Sequence, residues 1–428
     1  MPIDVDGVIR KIGLEYDGAV GIHVHEKTHI PLTIFYNHEK EELIYLDQTK
    51  LPFEVTTWAT KDWKQGADPG IKELIIRGSQ AIGVAGGYCM LLAAVSTAKA
   101  TKVPQSFMEE LKPKGEFIAN ARPTAQPLPW AVNLAMEAAE RAFSKGMTVD
   151  GIVEAVRDVA DYILASDLAL NAFTRKEIRK HLKNGDVILH HCNAGLAGSY
   201  GAHATCGIEE AYADGVDVVL VSHETRPRSQ GFKITIWEAL RCGLPVIAIT
   251  DGMTNAAIRK YGLNKAMLGV DRVAKDGSVA NKIGSADAAS VFHEYGLPFY
   301  YCTSYSTIDL GTERGRDIPI EVRNIEEFTY PYRLEAEDKK RRGIISAQAL
   351  DEWPPSDKLV KGSKPESGRV LVYNPAFDVT PPENVTEILT DIGSYKPNQI
   401  RRLTKSKIDE KVSENLKEWG LSSPLQGL

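Results

Sequence analysis

Two residues in this sequence combine a reactive side chain with a setting that can use it. Cys192 lies in HCNAG, residues 191–195, where the apolar run DVILHHC ends and a Gly-rich turn begins. Backbone N–H groups near a helix entry, together with the helix dipole, favour the thiolate of such a cysteine, which makes it a base and a nucleophile. A buried structural cysteine is the alternative reading of that residue alone. Asp271 closes the run KAMLGV and is followed by Arg272. It reads as an acid catalyst, or as half of an ion pair or a loop cap. Asp251, in ITDGM, carries the same choice and equally suits a cap on the next helix. Cys89, Cys206, Cys242 and Cys302 sit in apolar or helical settings and read as core.

A second group of residues suits an anion. RGSQAIG, residues 77–83, joins Arg77 to a small-residue turn at Gly78 that opens a helix. Backbone donors, the helix dipole and a guanidinium fork then act together on a phosphate. Arg122, in ARPT, is a further arginine of this kind, and Asn281-Lys282, in VANKIGS, precede a predicted helix and add a cationic donor group. The histidines are less promising. His190 and His191 are adjacent and point to opposite faces of a strand. His23 and His25 share a face without a third ligand nearby. With no CxxC, Walker P-loop, GxSxG or kinase signature, no metal centre is expected.

These residues need elements to hold them. Residues 1–45 read as a small β region, and 70–185 as mostly helical, with helices over 80–98, 128–145 and 148–182. From 186 the short apolar runs DVILHHC, VDVVLVS, PVIAIT, KAMLGV and PFYYC alternate with helical stretches. That alternation predicts an α/β fold: an N-terminal, mostly helical domain (1–175) and a Rossmann-like domain with a parallel sheet (176–428). In such sheets chemistry sits beyond the carboxyl ends of the strands. Cys192-Asn193, His223 to Arg226, Asp251 and Asp271-Arg272 all fall there. Residues 330–370, with Pro354-Pro355 and SKPESG, read as a surface insertion. The polar tail from 395 reads as a surface helix or a mobile end.

Bulk properties narrow the partners. The chain has 428 residues, enough for two domains, and a formal charge of −6, which offers no general field for nucleic acid. Five cysteines without a CxxC fit a reducing compartment rather than a disulfide framework. The N-terminus lacks the apolar core of a signal peptide, and no apolar stretch approaches a membrane span. A cytoplasmic protein acting on a small molecule, away from membranes, is expected.

Several segments together resemble one family. RGSQAIG, ARPTA, HCNAG, ETRPRSQG, TDGM, GVDRVAKDGSVANKIGS, DIPIEVRN and NPAFDVTP look like the motifs of methylthioribose-1-phosphate isomerases. The same superfamily holds ribose-1,5-bisphosphate isomerases and regulatory subunits of the translation-initiation exchange factor. The resemblance runs from about residue 44 to about 393. It implies a homodimer with the site between the two domains, and no metal or organic cofactor. It also implies Cys192 and Asp271 as the catalytic pair, with phosphate contacts from Arg77, Arg122, Gln230, Asn281 and Lys282. The implied reaction turns 5-methylthioribose 1-phosphate into its ketose, a step of methionine salvage. Asp271 would protonate the ring oxygen and Cys192 carry a proton from C2 to C1, with a hydride shift as the alternative. Departures cluster away from the phosphate end. RGSQAIG stands for RGAPAIG, TDGM for TDNM, the loop NAGLAGSYGAHATCG is shortened, and the 330–370 insertion is long. They keep 5-deoxyribose 1-phosphate and ribose 1,5-bisphosphate open as substrates, and a non-catalytic regulatory subunit as the remaining alternative.

Overall fold

The computed structural model describes residues 3–122, 127–329, 344–346 and 370–428. Pro123 and Thr124 of the ARPT segment, and most of the 330–370 insertion, lie outside the described residues.

The N-terminal region begins with a short helix, Val5–Lys11, followed by a hairpin, β1 (Leu14–Asp17) and β2 (Ile22–His25), and a small antiparallel sheet of β3 (Ile34–Asn37), β4 (Glu42–Leu46) and β5 (Thr57–Thr60). Helices follow at Ser79–Ala100, Pro104–Ala119, Pro127–Ser144 and Val149–Arg179. The first of these is apolar all round, so it can only be a core element or a membrane span. Contrary to the reading of the sequence, it is long and apolar enough for a span, with a mean hydropathy of 1.7 over its best window. That window is 94% buried within the protein, where Gly83, Gly86 and Gly87 let the neighbouring helices approach closely. Helix Pro104–Ala119 was not foreseen. Its Pro104 start is favourable, but Pro113 and the Lys-rich PQSFMEELKPKG hide its apolar stripe of Phe107, Leu111 and Ile118.

Helix Val149–Arg179 runs past residue 175, straight to the edge of the second region. There the main sheet is seven-stranded, in the order β18-β17-β12-β9-β6-β7-β8. Its strands are β6 (Asp186–His190), β7 (Val218–His223), β8 (Val246–Ile249), β9 (Lys265–Leu268), β12 (Phe299–Thr303), β17 (Glu387–Thr390) and β18 (Gly393–Tyr395). All neighbours pair parallel except β17 and β18. Apolar clusters cover both faces, which explains the near-continuous hydrophobic runs of the central strands. The chain moves outward from β6 through β7 to β8, then returns to β9 and continues through β12 to β17. The order therefore reverses at β6, and the crevice between β6 and β9 is the topological switch point.

A second sheet rises from the carboxyl end of β9. It joins β13 (Ile308–Asp309), β10 (Arg272–Ala274), β11 (Val279–Lys282) and β16 (Phe377–Thr380). The C-terminal tail is ordered. Helix Lys405–Glu418 lies against helix Val149–Arg179, and Leu416 and Leu421 are buried in the N-terminal core.

Candidate active site

One cleft of about 580 Å³ lies over the switch point, between the sheet and the N-terminal region. Cys192, Asp271, Arg77, Gly78, Arg122, Gln230, Asn281 and Lys282 all line it. Residues separated by two hundred positions in the chain are thus brought together by the crossing connections of a parallel sheet.

Cys192 follows β6 in the left-handed backbone region, at φ +73°. For a non-glycine residue that conformation costs about 1–2 kcal/mol and persists only when the surroundings over-determine it. Here they do. The Cys192 amide donates to Thr225 Oγ1 at 2.8 Å, and Thr235 Oγ1 donates to the Cys192 carbonyl at 2.8 Å. The expected helix entry is displaced. Only a short 3-10 turn, Gly195–Ala197, follows, and the helix begins at His203. The glycines and Ser199 carry the chain as a loop against Gly78 instead. Gly78 has φ +94°, and a Cβ there would run into the Ala197 backbone, so no larger residue fits where the two segments meet. Local positive charge comes from side chains rather than a helix dipole: Arg77 and Lys282 lie within electrostatic reach of both Cys192 and Asp271.

Asp271 follows β9, and its amide donates to Ala280 O at 3.0 Å. Its side chain is exposed to the open cleft, yet protein surrounds it closely enough to desolvate it. That enclosure raises its carboxyl above the usual range, against the opposing pull of Lys282, Arg323 and Arg77. A substrate displacing the cleft water would strengthen the same effect. Arg272 pairs with Asp309 at 3.2 Å, so the neighbouring arginine does not neutralise Asp271.

The cations converge from several elements. Lys282 is buried on β11, donates to Ala376 O at 3.1 Å and sits 4.5 Å from the Phe377 ring centre. Burial lowers its pKa, and Arg323 lowers it further. Asn281 is held by its bond to Ser285 Oγ at 2.9 Å. Arg122 has its pKa lowered by burial and then by Arg323 and Arg228, which shows three guanidinium groups crowding one region. Arg228, Arg323 and Lys233 also line the cleft and went unassigned in the sequence. Arg228 and Arg323 stood in the motifs ETRPRSQG and DIPIEVRN, but nothing local in those charged stretches marks them. Gln230 presents a buried Oε1 without a hydrogen-bond partner, an acceptor suited to a substrate hydroxyl.

Asp251 is structural. Its oxygens accept from the amides of Thr225 and Arg226 at 2.8 and 2.7 Å, which anchors the loop after β7. With His191 and His223 it forms the group of potential metal ligands within 4.8 Å among the described residues. Both rings are already engaged. His191 Nε2 donates to Ile283 O at 2.8 Å, so its Nδ1 accepts from His223 Nδ1 at 2.9 Å, and His223 Nε2 accepts from Thr254 at 2.9 Å. Burial lowers both pKa values to about 3, and this pair is a neutral relay that braces the strand ends.

A parallel sheet carrying an acid and a thiol across its switch point, beside a dense set of cations, defines an enzyme for small anionic substrates. The chain belongs to the initiation factor 2 subunit family, whose model matches residues 75–397. It is 34% identical over 370 residues to a methylthioribose-1-phosphate isomerase of Thermoanaerobacter sp. (strain X514), covering 86% of this chain and 97% of that one. It is also 34% identical over 375 residues to a 5-deoxyribose 1-phosphate isomerase of Clostridium botulinum (strain Kyoto / Type A2), covering 87% and 98%. Among solved structures it resembles the 5-methylthioribose 1-phosphate isomerase of Pyrococcus horikoshii OT3, with a TM-score of 0.73 at 29% identity, over 90% of this chain and 96% of that one. With these relatives the chain is an enzyme of the aldose–ketose isomerase class.

Proposed function

We propose that the chain isomerises 5-methylthioribose 1-phosphate to 5-methylthioribulose 1-phosphate, with Cys192 and Asp271 as its acid–base pair, as a step of methionine salvage. The observation that carries this reading is the shared cleft: the two groups flank the switch point, with cations on one wall and apolar side chains on the other. A sugar phosphorylated on its anomeric oxygen cannot open like a free sugar. Asp271, whose carboxyl pKa is raised by desolvation, gives its proton to the ring oxygen as the bond from C1 breaks. The Cys192 thiolate takes the proton from C2, leaving a 1,2-enol phosphate. The enol hydroxyl returns a proton to Asp271 while Cys192 delivers its proton to C1, so both groups end as they began. Arg122, Arg228, Lys282 and Arg323 hold the phosphate and supply the binding energy that orients the sugar.

The C5 substituent is read from the opposite wall. Leu51, Phe53, Leu74 and Ile82 line it, and Glu73 is its acidic member. Such a wall favours an uncharged, apolar group over a second phosphate, which would meet Glu73. 5-Deoxyribose 1-phosphate fits the same wall with less contact and is the second reading. The test is kcat/KM for methylthioribose 1-phosphate, 5-deoxyribose 1-phosphate and ribose 1,5-bisphosphate. A preference in that order supports the reading, whereas a preference for the bisphosphate overturns it.

We further propose a cytoplasmic homodimer. The sheet edge at β8, bordered by the exposed Phe232, Leu240 and Met253, supports a self-pairing surface there. Sedimentation as a monomer at working concentration would overturn it.

A further inference from the structure

The isomerase reading leaves one acid at the back of the cleft without a task. Glu238, on the helix Ile236–Arg241, is 1% exposed. Its carboxylate accepts from Asn193 Nδ2, which also donates to Thr235 Oγ1 at 3.1 Å. The other end of the same amide, Asn193 Oδ1, accepts from Arg77 at 2.8 Å. The remaining acceptors of Arg77 are Asn193 O at 3.4 Å and Gln48 Oε1 at 3.5 Å, both neutral. Arg77 is therefore held without a directly bound carboxylate, so its charge stays available to a ligand in the cleft.

An asparagine amide has a donor end and an acceptor end of nearly the same shape. Which end faces Arg77 is decided by the groups behind it. Thr235 spends its hydroxyl proton on the Cys192 carbonyl and can only accept from Asn193. Glu238, when ionised, can likewise only accept. The loop that carries Cys192 leaves no freedom here. A Cβ on Gly195 would strike the Glu238 carboxylate and lie 2.6 Å from Thr205 Oγ1.

We propose that Glu238 is a positioning residue for the isomerisation: by accepting from Asn193 Nδ2 it fixes Asn193 Oδ1 toward Arg77 and so aims the Arg77 guanidinium into the substrate cleft. This rests on the isomerase reading of that cleft. A protonated Glu238 would present a donor to the amide where it now presents an acceptor, and would loosen the arrangement. Burial raises its pKa to about 8, opposed by Asn193 and by the charge of Arg77. The other titratable groups facing it are Glu209, from the helix His203–Ala213, and Cys242, at the end of its own helix. The ionised, well-aligned form thus gains population as pH rises through about 8.

The experiment compares wild type, Glu238→Gln and Glu238→Leu across pH 6.5–9.5, measuring kcat and KM for methylthioribose 1-phosphate. In the wild type, KM should fall as pH rises through about 8. Glu238→Gln carries a donor and an acceptor like the protonated acid and does not titrate, so its KM should lose that pH dependence and stay near the higher, acidic wild-type value. Glu238→Leu removes the acceptor and should raise KM about tenfold at every pH, with kcat less affected. A folded Leu variant with wild-type KM overturns the assignment, and so does a Gln variant that keeps the wild-type pH slope, which serves if the Leu variant does not fold. If wild type turns over no sugar phosphate, it is the isomerase reading that fails. The same proteins are then compared by calorimetric binding of inorganic phosphate. A folded variant binding as tightly as wild type at pH 9.5 would again overturn the role.

Discussion

The two walls of the cleft are made of opposite chemistry. The wall from the sheet and the segment after it presents Arg228, Lys233, Lys282 and Arg323, with Arg122 reaching in from between two helices. The wall from residues 48–82 presents Leu51, Phe53, Leu74 and Ile82, with Arg77 as its cation. Charge-assisted hydrogen bonds are worth about 1.5–3 kcal/mol each, whereas one methylene in an apolar pocket discriminates by about 1–3 kcal/mol in all. On the proposed reading the cationic wall supplies most of the affinity and is indifferent to the rest of the sugar. The apolar wall supplies little affinity and most of the choice. Cys192 and Asp271 stand at the seam, where one wall can orient the sugar for the other.

Each part of that division can be broken separately. The largest effect is expected at the seam. Cys192→Ser should lower kcat by about 10³-fold, within the range of general acid–base catalysis, while sugar-phosphate affinity measured by calorimetry stays within a factor of about three. A loss of affinity equal to the loss of rate would mean that Cys192 belongs to a wall. Next, Lys282→Gln should weaken every sugar 1-phosphate by about ten- to a hundredfold and to a similar extent, because the contact is to the shared phosphate. Unequal losses across sugars would dissolve the distinction between walls. A smaller effect is expected from Leu74→Arg. It should shift the kcat/KM ratio toward ribose 1,5-bisphosphate by about tenfold, since it places a further cation among the apolar residues to receive a second phosphate.

How much of this was legible depended on whether a residue's role was local. Arg77, Cys192 and Asp271 could be found because each closes or opens an apolar run, and strand ends are where a parallel sheet exposes its chemistry. The strand alternation brought Cys192 and Asp271 to one end of the sheet, whereas Arg77 joined them only through the family resemblance. Arg228 and Arg323 could not be found in that way. Each lies in a polar stretch where an arginine facing the cleft and an arginine facing solvent look alike in sequence. The helix expected after Cys192 failed for a backbone reason: the left-handed Cys192 turns the chain into a loop, and no local pattern announces φ above zero at a cysteine. The tail helix was one of two readings open in the sequence, because Ile408, Val412 and Leu416 recur four apart among charges, and the structure settles it as a docked helix. Asn193 and Glu238 illustrate the remaining limit, since their contact joins residues 45 positions apart.

The smallest predicted effect concerns what the cationic wall rests on. His190, His191 and His223 lie beneath it, neutral, with pKa values lowered by burial to about 4, 3 and 3. Their unfolded pKa, about 6.5, is higher, so between these values the unfolded chain binds more protons. Stability is therefore full above about pH 6.5 and declines as pH falls toward 4. The melting temperature should drop over that window, and a flat profile would mean these histidines are charged or exposed.

The central claim is that Cys192 carries a proton between C2 and C1 in this cleft. Proton NMR of methylthioribose 1-phosphate incubated with the protein in deuterated water tests it directly. The account predicts formation of the ketose 1-phosphate with deuterium at C1, and neither product nor label with Cys192→Ser. Ketose formed without deuterium at C1 would point to a hydride shift, and undiminished turnover by the serine variant would contradict the assignment outright.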